Sequence, residues 1–330
     1  MSGSLKHAEV RKSFQKITQS MRHTNKIYHV GTATVTRIDE IPLPNGVPAS
    51  LYPDLDAGAL EEYGRFLSSG SYDPKASTFT QSVHTWLVRF SGYTILIDTG
   101  VGNGKTTPTA PRFDHLDLPY LDRLSAAGVH PDQVDLVLLT HLHLDHVGWN
   151  TRFENGRGWV PTFPNAKYIF SRTEERYNAS LSGHKPAPDL PPAALGKPVR
   201  QPSSHMYDES VAPILESGLA QLIDVGGAEL LEGLSFLRTP GHSVDHASIR
   251  LRSSGQEALF LGDVAHHPLQ VYRPDLRSVY CEFPEPSRAS RQWVLCYAAE
   301  KRALCFTSHF AESSAGYISP RAAGFQWQFA

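Results

Sequence analysis

The chain has 330 residues, 40% of them hydrophobic and 19% charged, and carries a formal net charge of -2. This is an ordinary globular composition with ample material for a large core, and its near-neutral balance argues against a generally basic nucleic-acid binder. No run approaches the roughly 20 apolar residues that span a bilayer, so neither nucleic acid nor membrane is an expected partner.

The chain opens with "MSGSLKHAEVRKSFQKITQSMRH", polar and basic and without the apolar stretch of a secretory signal. Residues 1–28 are expected to form a tail or peripheral arm. A mitochondrial presequence is the alternative for them, and a homodimer using the arm is compatible with the sequence. The cysteines, Cys281, Cys296 and Cys305, are odd in number and lack CxxC spacing. Buried free thiols in a reducing compartment fit them better than disulfides, and the expected location is cytoplasmic.

Residues 29–330 read as one domain. Strand-like runs appear at Tyr28–Ile38, His84–Phe90 and Tyr93–Gly100, the last two flanking a Ser-Gly hairpin signal. Between the first two lies a long Pro- and Gly-rich connection, a lid-like insertion near 41–75. Its aromatics, including Tyr52, Tyr63, Phe66 and Tyr72, are expected to pack in the core more than to line a pocket. "DLPYLDRLSAAGV" reads as a helix ending at Gly128. "VDLVLLT" (Val134–Thr140) is a continuous apolar run, hence a strand buried on both faces. A second Pro-rich insertion spans 182–205. Strands followed by loops recur in "LSFLRTPGHS" and "ALFLGDVAHH". "SRASRQWVLCYAAEKRA" has a helical pattern, and "LCFTSHF" is a last strand. The recurrent unit is an apolar strand whose C-terminal end carries His or Asp, where sites in sheet proteins collect.

The densest cluster is "THLHLDHVGW", which places His141, His143, Asp145 and His146 within six positions. On a helix His143 would sit roughly 200° from His141, at ~100° per residue. On a strand His146 would point away from the other three. A tight loop leading from the Val134–Thr140 strand into a helix is able to aim all four inward, as a pair at 141/143 and a pair at 145/146. Two pairs suggest two metals, each needing about two more donors. His242, Asp263 and His309 stand at similar strand ends, and a carboxylate such as Asp263 is able to bridge ions about 3.5–4 Å apart.

HLHLDH, then GH, then GD, then a C-terminal SH resembles the metallo-β-lactamase-fold hydrolase superfamily. "HTWLVRF", "YTILIDTGVGN" and "GDVAHHPLQV" are closest in pattern to quorum-quenching lactonases and methyl parathion hydrolase-like enzymes. The resemblance implies an α/β four-layer αββα sandwich with a dinuclear metal site at the edge between its two sheets. It implies one ion held by His141, His143 and His242, another by Asp145, His146 and His309, and Asp263 bridging them. Asp145 and Asp263 are the carboxylates expected to serve catalysis as well as metal binding. Asp98 matches a family aspartate that orients a ligand from behind, although a turn-capping role suits it equally. Zinc suits the His-rich set first, with manganese, iron or cobalt as the other divalent ions.

The implied chemistry is hydrolysis of a small lactone or carboxylic ester by attack of a hydroxide shared between the ions. Many true β-lactamases have Cys or Ser where Asp263 stands, and di-iron electron-transfer relatives have Glu in place of His143. Both readings are therefore disfavoured. The expected substrate is small, neutral and partly apolar. The rivals are phosphotriester or phosphodiester hydrolysis at the same metals and a metal-stabilised ligand-binding scaffold without turnover. Near the motifs, His246, His266, His267 and Trp149 are expected to be structural, and Tyr272 or Tyr280 to offer a hydrogen bond to a leaving oxygen.

Overall fold

Strand alternation decides the architecture. In the computed structural model, which describes residues 26–184, 195–226 and 229–330, the strands in chain order begin with β1 (Ile27–Val30), β2 (Ala33–Gly46), β3 (Tyr72–Asp73), β4 (Thr78–Phe90), β5 (Tyr93–Ile97) and β6 (Leu136–Leu138). A short hairpin, β7 (Thr151–Glu154) and β8 (Gly158–Pro161), precedes β9 (Lys167–Ser171) and β10 (Ala220–Ile223). The remainder are β11 (Leu234–Arg238), β12 (Ala247–Ser253), β13 (Gln256–Phe260), β14 (Leu304–Phe306), β15 (Ala315–Pro320) and β16 (Phe325–Phe329). The first sheet has the order β1-β2-β4-β5-β6-β9-β10, with β3 paired to β4, and the second runs β11 to β16 in sequence. Both are mixed: β5, β6, β9 and β10 are parallel neighbours, as are β13 and β14, and the other pairs are antiparallel.

Odd and even positions of the central strands enter different cores, as the period of two demands. Trp86, Val88, Ile95, Ile97, Leu136 and Leu138 meet Phe236, Ile249, Phe260 and Phe306 between the sheets. Their neighbours Leu87, Leu96 and Val137 face the other way, against Tyr120, Leu124, Met206 and Ile214 of one helical layer. On the second sheet Leu259 and Cys305 pack against Val294, Leu295 and Ala298 of the helix Pro284–Lys301. The result is four layers, helix, sheet, sheet, helix. Among the described residues no helix is long and apolar enough to cross a membrane.

Several local expectations shift. The run Tyr28–Ile38 is two strands, because Gly31 turns the chain at φ 57°, and a Cβ there would lie 2.3 Å from the Ser253 carbonyl oxygen. β2 extends to Gly46, and the rest of the 41–75 segment folds into short helices and β3. Tyr52 and Tyr72 are buried with Phe79, Leu269 and Leu276, so these aromatics are core. The helix expected over 117–128 is shorter, Tyr120–Ala126, and the strand expected at Val134–Thr140 pairs only over Leu136–Leu138. Cys281 and Cys305 are buried, but Cys296 is exposed on the outer side of the C-terminal helix. This corrects the expectation of buried thiols for that residue. The tail to residue 25 and residues 185–194 of the second insertion lie outside the described residues.

Candidate metal centre

β5, β6, β11, β13 and β14 each end at the same edge of the sandwich, and each delivers one or more of the singled-out residues there. β6 stops at Leu138. His141 and His143 follow on irregular backbone, and Asp145 and His146 on the one-turn helix Leu144–Val147, the loop-then-helix division that the spacing requires. β5 supplies Asp98, β11 leads to His242, β13 to Asp263 and β14 to His309. This turn-rich edge packs closely. A Cβ on Gly148 would fall 1.7 Å from the Val101 oxygen, so the loop after β5 reaches the motif only because residue 148 has no side chain. Glu40 braces the same loop, accepting from Val101 N (2.6 Å), Gly102 N (2.9 Å) and Trp149 Nε1 (2.6 Å). Burial lifts the Glu40 carboxyl to about 7 against those bonds. Trp149, stacked on Tyr120, is therefore core, as expected.

The seven residues converge. One nitrogen each of His141, His143 and His242 lies within 4.8 Å of the others, and so do donor atoms of Asp145, His146 and His309. The two triads share no residue, and Asp263 stands between them. Its Oδ2 is 3.1 Å from His242 Nε2, and its Oδ1 is 3.0 Å from His309 Nε2 and 3.3 Å from His146 Nε2. Asp145 lies 3.6 Å from His309 Nε2 and 3.9 Å from His146 Nε2. His141 Nε2, His146 Nε2 and Asp263 Oδ1 are buried without a hydrogen-bond partner, a costly state for polar atoms.

The outward atoms of the rings are satisfied. Thr140 Oγ1 lies 3.0 Å from His141 Nδ1, Glu282 Oε1 2.8 Å from His143 Nε2, and Asp98 Oδ2 2.8 Å from His146 Nδ1. The Ser82 carbonyl accepts from His309 Nδ1 at 2.9 Å. Inward nitrogens that are open on His141 and His146 and face only one another or Asp263 on the other rings, with outward nitrogens held, are the pattern of imidazoles prepared for a cation. The donor set therefore fits a metal pair.

Electrostatics divides the triads. Burial holds His141 and His242 well below the usual imidazole range and brings His143 down to about 3, the last aided by the Arg200 charge. Around the second triad burial acts the same way, but carboxylates outweigh it. Asp263, Asp98 and Asp145 raise His146, and Asp263 and Asp145 raise His309. Burial in turn opposes the ionisation of Asp263, yet His309, His146 and His242 hold it well below the carboxylate range. That edge is a negative pocket that favours positive charge.

Asp98 accepts from Thr140 N and Thr140 Oγ1, both at 2.8 Å, as well as facing His146, with a left-handed φ of 53°. It thus couples the turn to the ligand ring. His246 is structural, accepting from Asp263 N at 2.9 Å and meeting Thr239 Oγ1 at its other nitrogen. The neighbours His266 and His267 differ. His267 stacks on Phe79 and bonds the Ser71 carbonyl at 3.0 Å, whereas His266 Nε2 lies 3.3 Å from Asp263 Oδ2, buried and without an aligned partner. Tyr272 packs with Phe66 away from the site, while Tyr280 borders it. Glu282 was invisible in the sequence. It is 139 residues from the ring that it touches, and no motif surrounds it.

A cleft of about 330 Å³ opens onto His143, Asp145, His242, Asp263, His266 and His309. Its walls combine Leu43, Phe113 and Leu144 with Arg112, Arg200 and Tyr280. From the 41–75 segment only Leu43 reaches it, whereas the second insertion supplies Arg200 to Ser203.

Residues 79–309 match the model of the Metallo-beta-lactamase superfamily. The chain is 26% identical over 203 residues to the N-acyl homoserine lactonase AttM of Agrobacterium fabrum (strain C58 / ATCC 33970), covering 61% of this chain and 67% of that protein. Among solved structures it is similar to the hydrolase AbOPH of the beta lactamase superfamily, with a TM-score of 0.71, 24% identity and coverage of 92% of this chain and 96% of that one. It is also similar to AidC, a dizinc quorum-quenching lactonase, with a TM-score of 0.71, 19% identity and coverage of 92% and 97%. These structural likenesses establish the fold.

Proposed function

This chain belongs to the metallo-beta-lactamase superfamily, and on that premise we propose that it is a dinuclear metal-dependent hydrolase of a small lactone or carboxylic ester. The observation that carries the reading is the pair of separate triads with Asp263 between them, facing a cleft with an apolar wall. His141, His143 and His242 would hold one divalent ion, Asp145, His146 and His309 the other, and Asp263 both. Such a pair supplies a water whose pKa falls from 15.7 toward roughly 7, and it polarises a carbonyl or phosphoryl oxygen. The chain's own part is to fix that charge and to orient the substrate. Asp145 and Asp263 offset the ions, and Leu43, Phe113 and Leu144 offer a dry surface for an acyl group. Tyr280 lines the cleft, and its hydroxyl would be the donor to a leaving oxygen. Zinc suits the five imidazoles best. AttM is named as an N-acyl homoserine lactonase and AidC as a dizinc one, which supports lactone opening first.

One observation favours a second reading. Arg112 and Arg200 line the cleft, each over an aromatic ring, and neither forms an ion pair among the described residues. Cations there suit an anionic phosphodiester better than a neutral lactone. A side-by-side assay separates the two on one purified sample. The expected result is a kcat/KM for acyl lactones or aryl carboxylic esters at least about tenfold above that for aryl phosphodiesters and triesters, a gap of about 1.4 kcal/mol in barrier. A reversed ratio moves the assignment to phosphoesters.

A further inference from the structure

One dipeptide grips two of the three residues in the first triad. Glu282 Oε1 is 2.8 Å from His143 Nε2, and the Glu282 N–H donates to the His242 carbonyl at 2.9 Å. Cys281 Sγ is 3.7 Å from His242 Nδ1. Both side-chain contacts fall on the nitrogen facing away from the centre, and the two inward nitrogens, His143 Nδ1 and His242 Nε2, stand 2.8 Å apart. No such contact reaches the second triad, whose outward nitrogens are held by Asp98 and the Ser82 carbonyl.

From this asymmetry we propose that Glu282 is a positioning residue for one ion only, the one held by His141, His143 and His242, and that it sets that ion's affinity. The inference rests on the metallohydrolase reading. His143 lies on irregular backbone between β6 and a one-turn helix, so the main chain alone does not fix its ring. A carboxylate at Nε2 does two things: it keeps the proton there, leaving the Nδ1 lone pair free for a cation, and it stops rotation of the ring. Glu282 is suited to the task because it is buried and its backbone is held. Its side chain is 1% exposed. The backbone around it is pinned by Val199 N to Glu282 O (2.8 Å) and Phe283 N to Gly241 O (2.8 Å). Gly241 and His242 belong to the loop after β11, so Glu282 ties the β6 loop to the β11 loop across the first triad.

The test uses the full chain, stripped of metal and titrated with Co²⁺, as wild type, Glu282→Gln and Glu282→Ala. Ligand-field absorption and competition with a chelating indicator yield a dissociation constant for each site. In Glu282→Ala one constant should weaken by about 10–100-fold, the scale for loss of such an outer partner. Glu282→Gln, which keeps an acceptor but not the charge, should fall between. The other constant should stay within about threefold. The shape of the Co²⁺ spectrum should change for the weakened site alone. Melting temperatures of the metal-free proteins serve as the second readout. A loss seen with metal and absent without it supports the proposal, whereas an equal loss in both states means that Glu282 only supports the fold, and overturns it. Two unmoved constants, or two equally weakened ones, overturn it as well. If the wild type takes up no Co²⁺, the metallohydrolase reading falls too. If it takes up two and the variants match it, this inference falls alone.

Discussion

Replacing Asp263 with Asn is expected to leave the chain folded but unable to hold two tight ions, and to cut hydrolysis by at least about 10²–10³-fold, the scale of removing one electrostatic contributor to a transition state. The side chain is buried, and its oxygens contact three rings from both triads: His242, His309 and His146. Asn keeps the shape, but it has one acceptor oxygen instead of two and no charge. The amide nitrogen would point donors at inward nitrogens that are meant for a cation. Of the two carboxylates at the centre, only Asp145 would remain to offset divalent charge. Elemental analysis with kcat/KM on the same preparation checks this. Two tightly held ions in the Asn variant would remove Asp263 from its place between the triads.

His309→Ala should act on one ion alone. His309 is anchored from β4 by the Ser82 carbonyl at 2.9 Å, and its Nε2 faces Asp145 and Asp263. Truncation takes one donor from the triad that has Asp145 and His146 and none from His141, His143 and His242. Bound metal is expected to fall from about two ions toward one, with a strong loss of turnover. An unchanged stoichiometry would delete His309 from the ligand set. Together the two variants distinguish a shared residue from a private one, a distinction that activity alone does not make.

The layers were legible because alternation is a local property. Leu136–Val137–Leu138 and Leu304–Cys305–Phe306 each present residues to two cores, and a run of buried apolar residues records that. The division of HLHLDH into loop and helix was legible too, since neither a period of two nor one of 3.6 aims all four side chains inward. Turn chemistry hid the break at Gly31: a glycine inside a strand pattern signals either a bulge or a turn, and only the approach of Ser253 decides which. Of the outer partners, only Asp98, which faces His146, was legible. Glu282 and Ser82 contact the rings through three-dimensional proximity, Ser82 by its backbone carbonyl, and residue type at those positions carries no periodic or motif signal. The same holds for the cleft walls, where Arg112 comes from a single 3-10 turn and Arg200 from an irregular segment, while Tyr52 and Tyr72 were drawn into a core with Leu269 and Leu276.

Everything functional here depends on imidazoles and carboxylates from four strand ends sharing a pair of cations. The most direct measurement is metal content per chain by elemental analysis, followed by chelation and re-addition on the same sample with lactone and ester turnover recorded at each stage. About two divalent ions per chain, loss of turnover on chelation and its return with zinc, manganese or cobalt are the expected results. Turnover that persists when metal has fallen to a small fraction of an ion per chain would contradict the assignment.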